Sequence, residues 1–108
     1  QTGGEKGIMS TIETIFLRVF SELELLQKAH AFQYDLTMDA NAHKRFGVQI
    51  SRLDASRRVT HARAFRQLTE SRERAVRLLC YLYENGVSPV CAEGVLQDLA
   101  AQKLWDGD

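Results

Sequence analysis

Two cysteines and three histidines are the residues of this chain whose chemistry could serve catalysis or metal binding. Cys91 stands just after a predicted helix start, where a thiol can become reactive, and His61 could act as a base. No nucleophile is identifiable for His61, however. The chain also contains no G-x-S-x-G, no phosphate-binding glycine loop and no HExxH. We therefore predict that the protein is not an enzyme and holds no cofactor.

Cys80 and Cys91 both lie among apolar neighbours in segments that are predicted to be helical. This setting is typical of reduced, buried thiols in a cytoplasmic protein. A disulfide across a helical hairpin and a metal site are the alternatives. The spacing of His30, His43 and His61 offers no ligand set for a metal. We predict a cytoplasmic location and no bound metal.

Charge is unevenly distributed along a chain whose formal net charge is zero. The basic block, residues 44–77, contains ten Lys and Arg against three Asp and Glu, an excess of seven. Such a region is either a nucleic-acid surface, which uses phosphate contacts, or an arginine-rich surface that pairs with protein acids. The neutral chain and the i,i+4 pairs Glu70–Arg74 and Glu73–Arg77 favour pairing with protein acids.

The segment from Ser10 to Ala29 is predicted to be a helix, because apolar residues recur at spacings of 4, 3, 4 and 3. These positions are Ile12, Phe16, Val19, Leu23 and Leu26. Phe20 and other apolar residues widen the stripe beyond what one packing surface needs. The helix is therefore either enclosed within its own domain or part of a dimer or partner interface.

Two stretches of alternating apolar and polar residues, FQYDLTM at 32–38 and FGVQIS at 46–51, predict β-strands. A weaker third strand is predicted from Arg57 to Ala64. Short turns rich in Asp, Asn, Ala and Ser join the three strands into an antiparallel meander. The alternative is an all-α helical bundle, in which one helix is capped at Ser51 and runs through to Glu84.

The C-terminal part is predicted to be a helical hairpin over residues 70–104. Thr69 is a suitable N-cap for its first helix, and Asn85-Gly86 ends that helix. Ser88-Pro89 starts the second helix as cap and first helical residue. The apolar face of a three-stranded sheet needs a cover, which the hairpin provides. The predicted fold class is α+β, with an N-terminal helix, a three-stranded antiparallel meander and a C-terminal two-helix hairpin.

Length and composition fit one folded domain. The chain has 108 residues, of which 44% are apolar and 26% charged, and residues 9–108 are expected to form that domain. Residues 1–8 contain three glycines and read as a flexible leader or the remnant of an expression tag, so they are left out of the fold. No apolar run is long enough to cross a membrane, and we expect no membrane partner.

Five stretches follow one another in the order FQYDL, RFGVQI, ESRERAVRLL, ENGVSPV and VLQDL. In this order the chain resembles a family of short bacterial proteins of unknown function. The resemblance covers about residues 32–100 and does not include the first predicted helix. It implies a meander followed by two helices, and it implies no activity.

Together these patterns predict a small protein-interaction module, a regulator, inhibitor or adaptor, that binds a partner protein and forms a homodimer. We expect the N-terminal helix to supply apolar contacts and arginines of the basic block to orient the partner. The predicted binding residues are Ile12, Phe16, Val19, Phe20, Leu23, Arg57, Arg58, Arg63 and Arg66. Nucleic-acid binding by the basic block is the alternative.

Overall fold

The computed structural model describes residues 10–21 and 28–101. The strands are β1 Ser10–Phe20, β2 His30–Asp39, β3 Phe46–Leu53 and β4 Val59–Thr69, and the helices are α1 Arg72–Glu84 and α2 Pro89–Ala101. The four strands form one antiparallel sheet in the order β1-β2-β3-β4, and the helices pack on it. The predicted α+β class and the helical hairpin are confirmed, and the all-α alternative is wrong.

The predicted N-terminal helix is wrong, because its first half forms β1 at one edge of the sheet. The register of β1 with β2 shifts at Ile15, which forms a β-bulge. The bulge brings Ile12 and Val19 to the same face of the sheet although they are an odd number of residues apart. Their spacing therefore imitates a helical stripe. Residues 22–27, in the second half of the predicted helix, lie outside the described part of the chain.

The predicted meander is present as β2, β3 and β4, but the prediction is one strand short because β1 extends the sheet. Both alternating stretches are strands in the predicted positions. The third strand is longer than predicted, since β4 continues past Ala64 to Thr69. The second half of β4 contains Phe65 and Leu68, and the packing of these two side chains against the core stabilises this part of the strand.

The chain of β4 approaches β3 very closely at Gly47. The register of the two strands shifts beside this glycine, and Gln67 within the bulge of β4 takes a positive φ of 59°. A Cβ atom on Gly47 would lie 2.3 Å from the carbonyl oxygen of Phe65 and 2.7 Å from the Cα atom of Arg66. Glycine is therefore required at this position by the backbone of the neighbouring strand.

The hydrophobic core lies between one face of the sheet and the two helices. The sheet residues of this core are Phe32, Tyr34, Leu36, Val48 and Ile50, which are apolar positions of the two alternating stretches. Tyr34 is fully buried, and its hydroxyl donates a hydrogen bond to the carbonyl oxygen of Val87 at 2.9 Å. Burial raises the pKa of Tyr34 to about 12. The hydrogen bond from Tyr34 to Val87 also connects the sheet to the loop between the helices.

Local side chains set the ends of both helices. Ser71 is the N-cap of α1, and its hydroxyl accepts a hydrogen bond from a backbone N–H of the first turn at 3.2 Å. The predicted cap, Thr69, instead accepts a hydrogen bond from the N–H of Ser71 at 3.1 Å. Gly86 follows α1 with a positive φ of 58°, as predicted. α2 begins at Pro89 directly after Ser88, as the cap and proline pattern predicts.

Candidate protein-interaction surface

The sheet has a second face, opposite the core, which we call the helix-free face because neither α1 nor α2 packs on it. Side chains alternate between the two faces of a strand, so the neighbours of the core positions lie here. Cross-strand pairing aligns one row across all four strands, made of Val19, Ala31, Leu53 and Val59. The next row consists of Leu17, Gln33, Ser51 and Ala62. We call the first of these the apolar row.

Large apolar side chains are exposed mainly on the helix-free face. The described part of the chain has six exposed large apolar residues, and four of them lie on this face. Their exposed fractions are 62% for Val19, 60% for Val59, 51% for Ile12 and 39% for Leu17. Scattered exposed apolar residues need no explanation, but a group on one face is typical of an interaction surface.

A polar centre lies between Ile12 and the apolar row. Asp35 is buried there, and its carboxylate accepts hydrogen bonds from the Thr14 hydroxyl at 2.8 Å and the Gln33 amide at 3.1 Å. Thr37 is also buried, and its hydroxyl oxygen has no hydrogen-bond partner among the described residues. The centre of the face is thus organised by its own side chains, and the exposed apolar groups belong to the edge strands.

Two of the predicted apolar binding residues, Ile12 and Val19, lie on the helix-free face towards opposite ends of β1. Sequence reasoning missed Leu17 and Val59, which are exposed on the same face. Leu17 does not belong to the helical stripe, and a valine such as Val59 indicates a strand without indicating a binding surface. The signal for Leu17 is its spacing of two residues from Val19, which places both on one face of a strand.

The other predicted apolar residues lie elsewhere. Phe16 and Phe20 are half-buried at the edge of the core face. The ring of Phe16 stacks on that of Tyr83, with the centroids 4.7 Å apart, and Phe20 stacks on His30 at the same distance. Leu23 lies outside the described residues. The described part of the predicted stripe is therefore divided between two faces, with Ile12 and Val19 on the helix-free face.

Arg57 and Arg58 are exposed in the β3–β4 turn, directly before Val59 at one end of the apolar row. Asp54 shapes this turn, since its carboxylate accepts hydrogen bonds from the N–H groups of Ser56 at 2.8 Å and Arg58 at 2.9 Å. The bond from Arg58 is the main cause that lowers the pKa of Asp54 below its usual value. Arg57 takes a positive φ of 66°. The turn thus presents two cations beside exposed apolar side chains.

Arg63 and Arg66, the remaining predicted binding residues, are engaged within the chain. The guanidinium of Arg63 donates to Glu93 at 3.0 Å and lies 5.2 Å from the ring centroid of Phe65. Arg66 donates two hydrogen bonds to the Asp39 carboxylate, at 2.8 and 3.2 Å. Both arginines therefore link β4 to other elements of the fold, and the structure does not bring them together with Arg57 and Arg58 as one free surface.

The cysteines and the other potential metal ligands of the described residues do not form a common site. The cysteines are free, with Cys80 half-buried and Cys91 exposed. Burial, assisted by Glu84, raises the pKa of the Cys80 thiol. Over residues 10–21 and 28–101, no three His, Cys, Asp or Glu side chains are grouped as metal ligands would be. No helix in that part of the chain combines the length and apolar character needed to cross a membrane.

Comparisons with curated proteins and with solved structures found no match. A family model described as a family of unknown function, DUF6514, matches residues 17–102. The match includes the stretches from FQYDL to VLQDL and begins within β1. It supports the predicted membership of an uncharacterised family. Because the matched segment is most of the chain, the protein belongs to the DUF6514 family.

Proposed function

We propose that the protein is a non-enzymatic protein-interaction module, of the regulator, inhibitor or adaptor class, that works as a homodimer. The observation that carries the proposal is the exposure of Val19 and Val59 at the two ends of the apolar row. Removing such side chains from water is the dominant favourable term in most protein association. The occupant that we propose for the helix-free face is a second copy of the chain.

The two edges of the helix-free face complement each other. β1 presents the large side chains of Leu17 and Val19, whereas β4 presents the small side chain of Ala62 beside Val59. A two-fold axis parallel to the strands, midway between two stacked sheets, places β1 of one copy over β4 of the other. Leu17 then faces Ala62 of the second copy, and Val19 faces Val59. The large Leu17 thus meets the small Ala62, while the two valines meet as apolar side chains of equal size, and side chains of this kind can interdigitate between packed sheets.

The size of the face limits the strength of the dimer. Four strands about 4.8 Å apart and roughly 30 Å long give a face of about 600 Å² per copy. The two faces together offer at most about 1,200 Å², the lower limit for a specific interface, because central residues such as Asp35 and Leu53 are already buried in the single chain. We therefore expect a dissociation constant in the micromolar range and a chain that also folds as a monomer.

The polar centre is compatible with being covered. Asp35 is already buried in the single chain and keeps its hydrogen bonds from Thr14 and Gln33 when a second sheet approaches. A second copy therefore imposes little further desolvation on this carboxylate. Gln33 and Gln49 are half-buried and retain amide groups that can hydrogen-bond across the interface.

Measurement of molar mass in solution tests the dimer directly. A concentration series through the micromolar range should show a monomer–dimer equilibrium for the full chain. Val19→Glu places a charge in the apolar row and should weaken the dimer by more than about tenfold. The matched control is Val90→Glu, because Val90 is 74% exposed on α2, away from the helix-free face.

Circular dichroism of both variants verifies that they remain folded. A wild-type protein that stays monomeric at the highest concentration would refute the homodimer. Equal weakening by Val19→Glu and Val90→Glu would show that the interface lies elsewhere or is non-specific.

Nucleic-acid binding by the basic block remains the second candidate function, because Arg57 and Arg58 are exposed. It has less support, since Arg63 and Arg66 are engaged with Glu93 and Asp39. Mobility-shift measurements with duplex and single-stranded DNA and RNA test it. Binding that falls steeply with salt and is lost on replacing Arg57 and Arg58 by alanine would favour this candidate.

The proposed setting of the module is a bacterial cytoplasm. The two free cysteines fit a reducing compartment, and the sequence resembles short bacterial proteins. Thiol labelling in intact cells should therefore find Cys80 and Cys91 reduced. Recovery of either cysteine as a disulfide would contradict this setting.

A further inference from the structure

A groove lies at the end of the sheet that carries the β3–β4 turn; we call it the sheet-end groove. Its volume is about 520 Å³. Among the described residues, the polar lining residues are Lys28, Arg52, Asp54, Ser56 and Thr60, and two alanines also line the groove. None of these residues belongs to the apolar row, so the groove is a separate feature of the surface.

Two of the polar groups in the groove are already occupied. The Asp54 carboxylate accepts the hydrogen bonds that form the turn, and the Thr60 hydroxyl donates to the carbonyl oxygen of Arg52 at 3.3 Å. The side chains of Lys28 and Arg52 make no ion pair with other described residues. The groups that remain for a ligand are an ammonium, a guanidinium and the Ser56 hydroxyl, which are hydrogen-bond donors. A ligand that fits them must therefore supply acceptors.

The charge of the lining selects among anions. Among the described lining residues, Lys28 and Arg52 oppose one carboxylate, that of Asp54, which leaves an excess of one positive charge. A carboxylate, with its single charge, balances this excess and meets less repulsion from Asp54 than a phosphate, which carries up to two charges. The guanidinium of Arg52 matches a planar carboxylate through two parallel hydrogen bonds. The methyl groups of Ala29 and Ala55 can contact the methylenes that carry a carboxylate side chain.

The cations next to the groove indicate a ligand longer than one residue. Arg57 and Arg58 follow Ser56 in the same turn and are exposed. An acidic segment of several residues can reach these arginines while one carboxylate occupies the groove. We infer that the sheet-end groove binds an acidic peptide segment and holds one carboxylate between Lys28 and Arg52. The inference rests on the proposed function in that this segment would belong to a partner protein.

Fluorescence anisotropy with the full chain tests the inference. The probe is a labelled peptide of alternating glutamate and alanine, amidated at its C-terminus, and the comparison peptide has glutamine in place of glutamate. Arg52→Gln should weaken binding of the glutamate peptide by about five- to tenfold, as expected for an accessible charge-assisted pair. Arg45→Gln is the matched control, because Arg45 is also exposed but precedes β3 at the other end of the sheet.

The outcomes separate this site from the dimer. Loss of binding with Arg52→Gln but not with Arg45→Gln supports the groove, and it should persist in the Val19→Glu variant even where the dimer fails. Equal losses in the two arginine variants, or equal binding of the two peptides, would overturn the inference while leaving the dimer intact. Stronger competition by inorganic phosphate or single-stranded RNA than by unlabelled glutamate peptide would also overturn it.

Discussion

Replacing Gly47 by alanine tests the close passage of β4 over β3. Gly47 does not have a positive φ, so alanine is acceptable to the local backbone. The obstacle is the space for the methyl group. A Cβ atom would lie 2.3 Å from the Phe65 carbonyl oxygen and 2.9 Å from the hydroxyl oxygen of Thr37, whereas ordinary contacts begin at 3.4 Å. The first of these neighbours is backbone and cannot rotate away.

The expected cost follows from the movement that relieves the contact. The strands must separate by about 1 Å at the bulge, which weakens the packing of Phe65 and Leu68 on the core. Overpacking of this kind costs about 3 kcal/mol when a rigid neighbour must move. That is a large fraction of the ~5–15 kcal/mol by which domains are usually stable. The melting temperature should fall by about 15 °C.

Urea denaturation followed by far-UV circular dichroism measures this change. The matched control is Gly94→Ala, because a Cβ atom on Gly94 in α2 meets nothing within 4 Å. A glycine in a helix interior costs about 0.5–1 kcal/mol relative to alanine, so the control should be more stable than wild type. A Gly47→Ala protein within about 0.5 kcal/mol of wild type would refute the described passage of β4.

Three further experiments test the interior and one ion pair. Thr37→Val should raise the free energy of unfolding by about 1 kcal/mol, because it replaces a buried hydroxyl without a described partner by an isosteric apolar group. Lower stability of this variant in urea denaturation would show that the hydroxyl does have a hydrogen-bond partner. Tyr34→Phe should cost about 1 kcal/mol at neutral pH. Folding raises the pKa of Tyr34 from 10.0 to about 12, so this tyrosine adds stability below pH 10 that is lost as pH rises towards 12. The difference between wild type and Tyr34→Phe should therefore shrink over that range, and a pH-independent difference would argue against burial as the cause. A double-mutant cycle on Arg66 and Asp39, whose side chains are 33% and 17% exposed, should give a coupling of about 1 kcal/mol that salt reduces only partly; a coupling near zero would mean that the pair does not hold β4.

The inner strands could be predicted because large apolar residues recur regularly on one of their two faces. Tyr34, Leu36, Val48 and Ile50 occupy every second position and pack against the helices, so period-2 alternation is preserved in the sequence. The hairpin was predictable from Gly86 and the following serine and proline, which act within one turn of the chain. Both signals depend on interactions that are local or confined to one face of an element.

The edge strand β1 could not be predicted on the same basis. Its bulge at Ile15 breaks the alternation, and its exposed face retains the large apolar residues Leu17 and Val19. The pattern that survives has spacings of three and four, which are the spacings of a helix. The segment becomes a strand because it pairs with β2, and this pairing depends on residues outside the segment.

The ion pairs explain how a strongly basic block fits into a neutral chain. Arg72 donates to Glu13 of β1, as Arg63 does to Glu93 of α2 and Arg66 to Asp39 of β2. The acids come from outside the basic block, so part of the charge separation in the sequence is cancelled when the strands and helices assemble.

Among the described residues, four of the cations that lack such pairs lie at one end of the sheet. Lys28, Arg52, Arg57 and Arg58 all lie at or beside the β3–β4 turn. Two-fold stacking with the axis parallel to the strands would bring this end of both copies to the same side of the dimer. An acidic partner could then contact two grooves at once, and the second contact would benefit from the high effective concentration of the first. The monomeric Val19→Glu variant should therefore bind a long acidic segment more weakly than wild type, yet bind a short glutamate peptide equally well. Equal affinity of the two proteins for the long segment would mean that the grooves do not act together.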